Sequence, residues 1–423
     1  MPKKERVMKT DAGVPVYLYP NEALHSFCLS LYLRAGSLYE DEKESGATHF
    51  IEHLLFRSVK QYMRGALYPT LDRLGLCFEG VTYREFMQLS ITGAPQHFAE
   101  AARILCHTLR PLLLTEEDVQ TERARIKAEI REESERTTLD YFTDRTLFGD
   151  SPLSRSITGT AGSISRMSRR YLCEKKDALF TAENLFFYMT GCVGEQEFCA
   201  LSDALKGISL PKGERRALLA PRPDAFLHRN ATVAVKSSDS TVLRLTFDID
   251  TPRYGDAELS LLYDLLFGDG EECLLHRTLS EETGMIYSFR GMMENYRNMG
   301  VMGVTYEIAP SKLLPSLSLV LGMLGRVKSG KDVTLDFVRA PYTDNAAFLL
   351  DDPATFNWSR AYESKILGLP YEGISDRAKA YASVSEERIV QMANEIFTPD
   401  AATLTVKGRR VDTDALRALL LKL

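Results

Sequence analysis

Two stretches of this chain say more about its architecture than any single residue. FTAENLFFYMTG begins at Phe180 and FTPDAATLTVKG at Phe397. Each opens on Phe-Thr, carries an acid at its fourth position and reaches a glycine eleven residues after the Phe. A second pair, IEHLLF at 51–56 and LYDLLF at 262–267, lies at nearly the same offset: 211 residues against 217. Two similarities sharing one offset predict a duplicated module, and a repeat fixes the architecture before any local reading does. A chain of 423 residues also exceeds one ordinary core. The segment PKGERRALLAPRPDAFLHRN, residues 211–230, has three prolines and several charges, a composition suited to an exposed linker. The expected organisation is one domain over 1–212, a linker over 213–227 and a second, homologous domain over 228–423.

Within the modules, strands and helices mix. Residues 14–18 and 26–34 alternate or run apolar, and Met87, Leu89 and Ile91 alternate with Gln88, Ser90 and Thr92. Helical spacing covers 45–57, 96–110 and 115–136, the last opening at Thr115, a predicted N-cap. The predicted fold class is α+β, with two similar tandem domains, each a mostly antiparallel sheet packed with helices.

The net charge of −6 offers no general attraction to nucleic acid or anionic membrane. No apolar run has membrane-spanning length, and the basic start leads into no signal-like apolar stretch. Seven cysteines, odd in number and without a CxxC pair, read as buried thiols in a reducing compartment. A cytoplasmic location follows. GRVKSGKD at 325–332 stops short of a phosphate-binding loop, with Asp332 where a hydroxyl residue is needed. It reads as a helix end and turn.

The chemistry concentrates in GATHFIEHLLF, residues 46–56. On a helix His49 and His53 share one face, and Glu52 borders it. Two neutral imidazoles meeting at a point suit a zinc ion, and a neighbouring carboxylate can accept a proton from an activated water. A lone helical histidine would be structural; the H-x-x-E-H spacing is that of the inverted zinc-peptidase motif. A catalytic zinc usually takes a third protein ligand. On 115–136, Val119, Ile126 and Ile130 form an apolar stripe, and Glu122 and Glu129 lie on or beside it. A carboxylate there needs an ion or a partner, which leaves both as candidates. By ligands alone, a two-His-one-carboxylate iron site is the rival, and Glu52 on the ligand helix favours hydrolysis instead.

These residues resemble the inverted-motif zinc metallopeptidases of the pitrilysin type (M16), the family of mitochondrial processing peptidase. GSLYEDEKESGATHFIEHLLFRSV, residues 36–59, is similar to the family's active-site helix and its approach. The family's third ligand stands some seventy residues later in an E-x6-E helix. The resemblance therefore implies His49, His53 and Glu129 as ligands of one Zn²⁺ per chain, Glu52 as general base and Glu122 as a supporting acid. GLCFEGVTYRE, 75–85, resembles the family's edge strand, whose backbone pairs with substrate, so Glu79, Gly80, Val81 and Thr82 become substrate-binding candidates. Glu79-Gly80 stands where the family usually has Asn-Ala. FGDGEECLLHRTLSEETGMIYSF, 267–289, is similar to the family's glycine-rich turn and R-x6-Y substrate pair; Tyr287 is present, and Ser280 replaces the Arg.

The implied activity is zinc-dependent endopeptidase cleavage of short or unfolded peptides inside a chamber enclosed by two chains. The partner would be a homologous chain carrying the Arg/Tyr pair, or a second copy of this one. The alternative is a non-catalytic scaffold or binding subunit of the same fold.

Overall fold

The computed structural model describes residues 5–136, 138–217, 219–224, 226–236, 240–371 and 373–423. They form two compact units, each with its own sheet and apolar core.

The first unit carries a six-stranded sheet of β1 (Arg6–Lys9), β2 (Pro15–Pro20), β3 (Phe27–Leu33), β4 (Cys77–Thr82), β5 (Met87–Gly93) and β6 (Leu185–Gly191). The spatial order is β1-β2-β6-β3-β5-β4. Only the β2–β6 pairing is parallel. On one face Phe27, Leu29, Leu31 and Leu33 join a core built with α1 (Ala47–Tyr62), α2 (Leu67–Leu74), α3 (Phe98–Cys106) and α4 (Glu116–Arg136). The other face of β3 is covered as well. The helix Pro353–Ala361, drawn from the second half of the sequence, brings Asn357 against it. The Tyr32 hydroxyl donates to Asn357 Oδ1 (2.8 Å), and Asn357 Nδ2 donates to the Tyr188 carbonyl (2.9 Å). Burial on both faces explains why β3 and β6 read as continuous runs rather than alternating strands.

The second unit carries β7 (Ala231–Lys236), β8 (Thr241–Ile249), β9 (Phe289–Asn295), β10 (Gly300–Ile308) and β11 (Ala402–Gly408), in the order β7-β11-β8-β10-β9. Its one parallel pairing is β7–β11. Strand for strand this repeats β2-β6-β3-β5-β4, in order and in direction. The 217-residue offset carries β6 onto β11 residue by residue. LYDLLF closes the helix Asp256–Phe267, as IEHLLF lies within α1. A helix from the first half, α5 (Thr138–Phe148), packs in this unit, where Thr143 and Thr405 share a hydroxyl–hydroxyl hydrogen bond (2.5 Å). The units are therefore not contiguous halves: α5 and the segment to Ser154 belong with the second sheet, and Ala347–Gly373 with the first.

Two expectations need correcting. The seven cysteines are free thiols, but Cys77 and Cys199 are exposed and Cys173 and Cys192 only partly covered. Cys77 lies on β4, Cys173 and Cys199 on helices, and Cys192 in the bend that follows β6. Residues 213–227 are not exposed throughout: Phe226 is buried, with the Arg222 and Arg229 guanidiniums against its ring. Among the described residues no helix is long and apolar enough to cross a membrane.

Candidate metal centre

α1 begins without an ordinary capping residue. Gly46, at φ 87°, sits where a Cβ would fall 2.5 Å from the Thr158 carbonyl oxygen, so only glycine fits. Glu40 supplies the missing cap: its carboxylate accepts from the Gly46 N–H (2.8 Å) and the Thr48 N–H (2.6 Å). Burial raises its pKa, and the bonds from Thr48 and Gly46 only partly offset that. This cap fixes the first turns of α1, which carry His49, Glu52 and His53.

α4 crosses against that face. Thr115 accepts from the Asp118 N–H at its start (3.1 Å), and Val119 and Ile126 sit fully in the core. Arg123 ties the middle of the helix to the Ile164 and Met167 carbonyls (3.1 and 2.6 Å). Glu122 and Glu129 then meet the histidines. Glu129 Oε2 lies 3.3 Å from His49 Nε2 and 3.6 Å from His53 Nε2. One donor atom from each of His49, His53 and Glu129 falls within 4.8 Å of the others. Glu122, with 1% of its surface exposed, accepts from His53 Nδ1 (3.1 Å) and from Arg57 Nε. That bond sets the His53 tautomer and leaves Nε2 with its lone pair toward the cluster.

The charges follow the contacts. Contact with His49 pulls the Glu129 carboxyl below its usual range, against the opposing effect of burial. For Glu122 burial pushes upward, and the bonds from His53 and Arg57 outweigh it. Two imidazole nitrogens and a carboxylate oxygen, with a carboxylate behind one imidazole, make a donor set that fits a zinc ion.

Glu52 points to the same place from the side of the sheet. Thr82 donates its hydroxyl to Glu52 Oε2 (2.6 Å), and His49 Nδ1 lies 3.8 Å from that oxygen. β4 passes so close that a Cβ on Gly80 would meet Phe56 at 2.8 Å and the Glu52 side chain at 3.1 Å. β4 is the last strand in its sheet, paired only with β5 among the described residues. Glu79 and Val81 face solvent, whereas Thr82 is buried.

The structure thus brings His49, Glu52, His53, Glu122 and Glu129 together beside Gly80 and Thr82. Tyr287 lies in the second unit, almost fully exposed, beside a pocket with Met285 and Glu307. At Ser280 the backbone carbonyl accepts from the Gly284 N–H (2.8 Å). Sequence reasoning missed Glu40 and the Thr82–Glu52 bond. A helix opening on glycine, with an acid six residues upstream, was the available signal for the first. The second depended on the β4–β5 register and had none.

In sequence and in fold the chain is similar to known proteins. Residues 17–161 match the family model of insulinase (peptidase family M16). An uncharacterized zinc protease of Rickettsia bellii is 22% identical over 420 residues, covering 96% of this chain and 98% of that protein. In structure the chain resembles a protease from Helicobacter pylori (TM-score 0.85, 17% identity, 96% of this chain and 100% of that one). It also resembles a peptidase M16 inactive domain from Pseudomonas fluorescens (TM-score 0.82, 19% identity, 97% and 99% covered). All of this chain aligns with 50% of the periplasmic protease PqqL of Escherichia coli (TM-score 0.79, 16% identity). Over residues 17–161 the chain is thus similar to the M16 peptidases, and its whole fold resembles that of the solved structures above.

Proposed function

We propose that this chain is a zinc-dependent endopeptidase acting on short or unfolded peptides. The observation that carries the reading is the convergence of His49, His53 and Glu129 within 4.8 Å, with Glu52 held beside them by Thr82. In this reading His49, His53 and Glu129 hold one Zn²⁺, and Glu122 orients His53. A zinc ion bound there would supply a Lewis acid that polarises a carbonyl and acidifies water. Glu52 accepts the proton of the attacking water and delivers it to the leaving amine. The substrate adds as a strand to the open edge of β4, its backbone pairing alongside Glu79, Gly80 and Val81. The glycine at 80 lets that strand lie close over Glu52.

The alignment with half of the PqqL chain supports a reaction chamber completed by a second, homologous chain. With Ser280 in the place of an Arg, we propose that the partner carries the intact Arg/Tyr pair and this chain the metal. A fold shared with an "inactive domain" keeps a scaffold subunit as the alternative, and the complete donor set favours catalysis.

The test is zinc stoichiometry with peptide cleavage, on the chain alone and with its partner. One zinc per chain, lost in His49→Ala and Glu129→Gln, is expected. A folded protein that takes up no zinc would refute the reading. Full activity as a homodimer would remove the division of labour and leave the peptidase.

A further inference from the structure

The face of α1 that carries His49 and His53 continues through Phe56, Arg57 and Lys60, at helical spacings of three and four. These side chains line a pocket of about 400 Å³ that opens beside Glu52 and His53. Its size is that of a small-ligand site. Phe56 packs on Phe78 with ring centroids 4.6 Å apart, giving one apolar wall. Tyr68 of α2 supplies another, with Lys60 Nζ 6.0 Å from its ring centre. Arg125 enters from α4.

The charges in this pocket are not balanced. Arg57, Lys60 and Arg125 stand against Glu122, with Glu52 at the catalytic end. Glu122 already accepts from His53 and Arg57, and being 1% exposed it is out of reach of any incoming cation. The Arg125 side chain is 63% exposed and holds Glu122 only at 3.4 Å. Lys60 has no carboxylate partner among the described residues. The cations are accessible and the structural anion is not. Such a site attracts a carboxylate and repels an ammonium.

Resting on the peptidase reading, we infer that this pocket is a substrate subsite selecting the side-chain carboxylate of an Asp or Glu next to the cleaved bond. Lys60 and Arg125 are its specificity-determining residues; they attract the carboxylate while Phe56 and Tyr68 pack its aliphatic stem.

The experiment uses the zinc-loaded full-length chain, with its partner where the pair is needed. Peptides of one sequence carry Glu, Gln or Lys in turn at each position flanking the cleavage site. At one position kcat/KM should fall at least tenfold from Glu to Gln and further for Lys. The Lys60→Glu/Arg125→Glu double variant, checked for folding by its melting curve, should abolish or invert that ranking. Free-acid and amidated C-termini serve as the control: cleavage that depends on the free terminus and not on the Glu side chain overturns the side-chain subsite. A second readout needs no turnover. Fluorescence anisotropy of the labelled Glu peptide on the metal-free chain should show binding about tenfold weaker in the double variant. Cleavage without acid preference overturns the subsite and leaves the peptidase. Binding that depends on Lys60 and Arg125 without cleavage of any peptide overturns the peptidase and leaves a carboxylate site. Neither result sinks both.

Discussion

The two sheets share one topology, and the same helix-on-strand contact has been put to different use in each. In the first unit Gly80 of β4 lies against Glu52 and Phe56 of α1. In the second, Gly291 of β9 lies against Tyr263 and Phe267 of the helix Asp256–Phe267. The 211-residue offset relates all three pairs of positions. It also carries His49 to Ser260 and His53 to Asp264. His53 bonds Glu122, whereas Asp264 accepts from the Tyr342 hydroxyl (2.7 Å). Tyr342 stacks on Tyr381 with ring centroids 3.9 Å apart, and the Arg377 guanidinium lies over both rings. Among the described residues only the first unit gathers three metal-capable groups. The glycine contact belongs to the fold, and the donors are an addition to it.

The largest way to sharpen that comparison is Glu52→Gln, which occupies the position of Tyr263. Turnover should fall by about 10³ with zinc content unchanged, since an amide accepts no proton; paired metal analysis and kinetics would show it. Next come the two glycines. A Cβ at Gly291 would fall 2.2 Å from the Phe267 carbonyl oxygen, whereas at Gly80 it meets only side chains, the nearest at 2.8 Å. Gly291→Ala should therefore cost about 3 kcal/mol and Gly80→Ala about half of that, measured by urea unfolding. Equal costs would mean the two contacts are not built alike.

The third test uses pH. Burial pushes the Asp264 carboxyl up to about 6, against the Tyr342 bond. Raised above its unfolded value, the group contributes stability that is full below about pH 4 and lost as the pH rises through 6. Asp264→Asn keeps an acceptor for Tyr342 and should stabilise the protein above pH 6 by about 1–3 kcal/mol, with no gain at pH 4. A gain of the same size at both pH values would locate the effect elsewhere. The smallest effect is expected from Thr82→Val. Removing the hydroxyl that orients Glu52 should lower kcat about tenfold at unchanged zinc affinity and KM.

The sequence made the repeat and the metal donors visible because both rest on local spacing. β6 and β11 obey the offset residue by residue. His49, Glu52 and His53 lie within two turns of one helix. What depended on distant pairing stayed hidden. No pattern places Thr82 under Glu52, since the β4–β5 register does that. Nor did any signal say that the polar face of β3 (Cys28, Ser30 and Tyr32) would be roofed by Asn357, more than three hundred residues away. The cap on α1 is local by contrast: Glu40 stands only six residues before Gly46, and it went unread because it takes the place of the usual residue adjoining the helix.

That roof has a consequence for how the protein is made. Synthesis runs from the amino end, and the first sheet has all its strands once β6 has left the ribosome. Its uncovered side, with Tyr32 and Tyr188 awaiting Asn357, must then stay wet until about 170 further residues have emerged. A truncated chain ending near residue 212 would remain at that stage, sticky along β3 and β6 and prone to clump before it could be assayed.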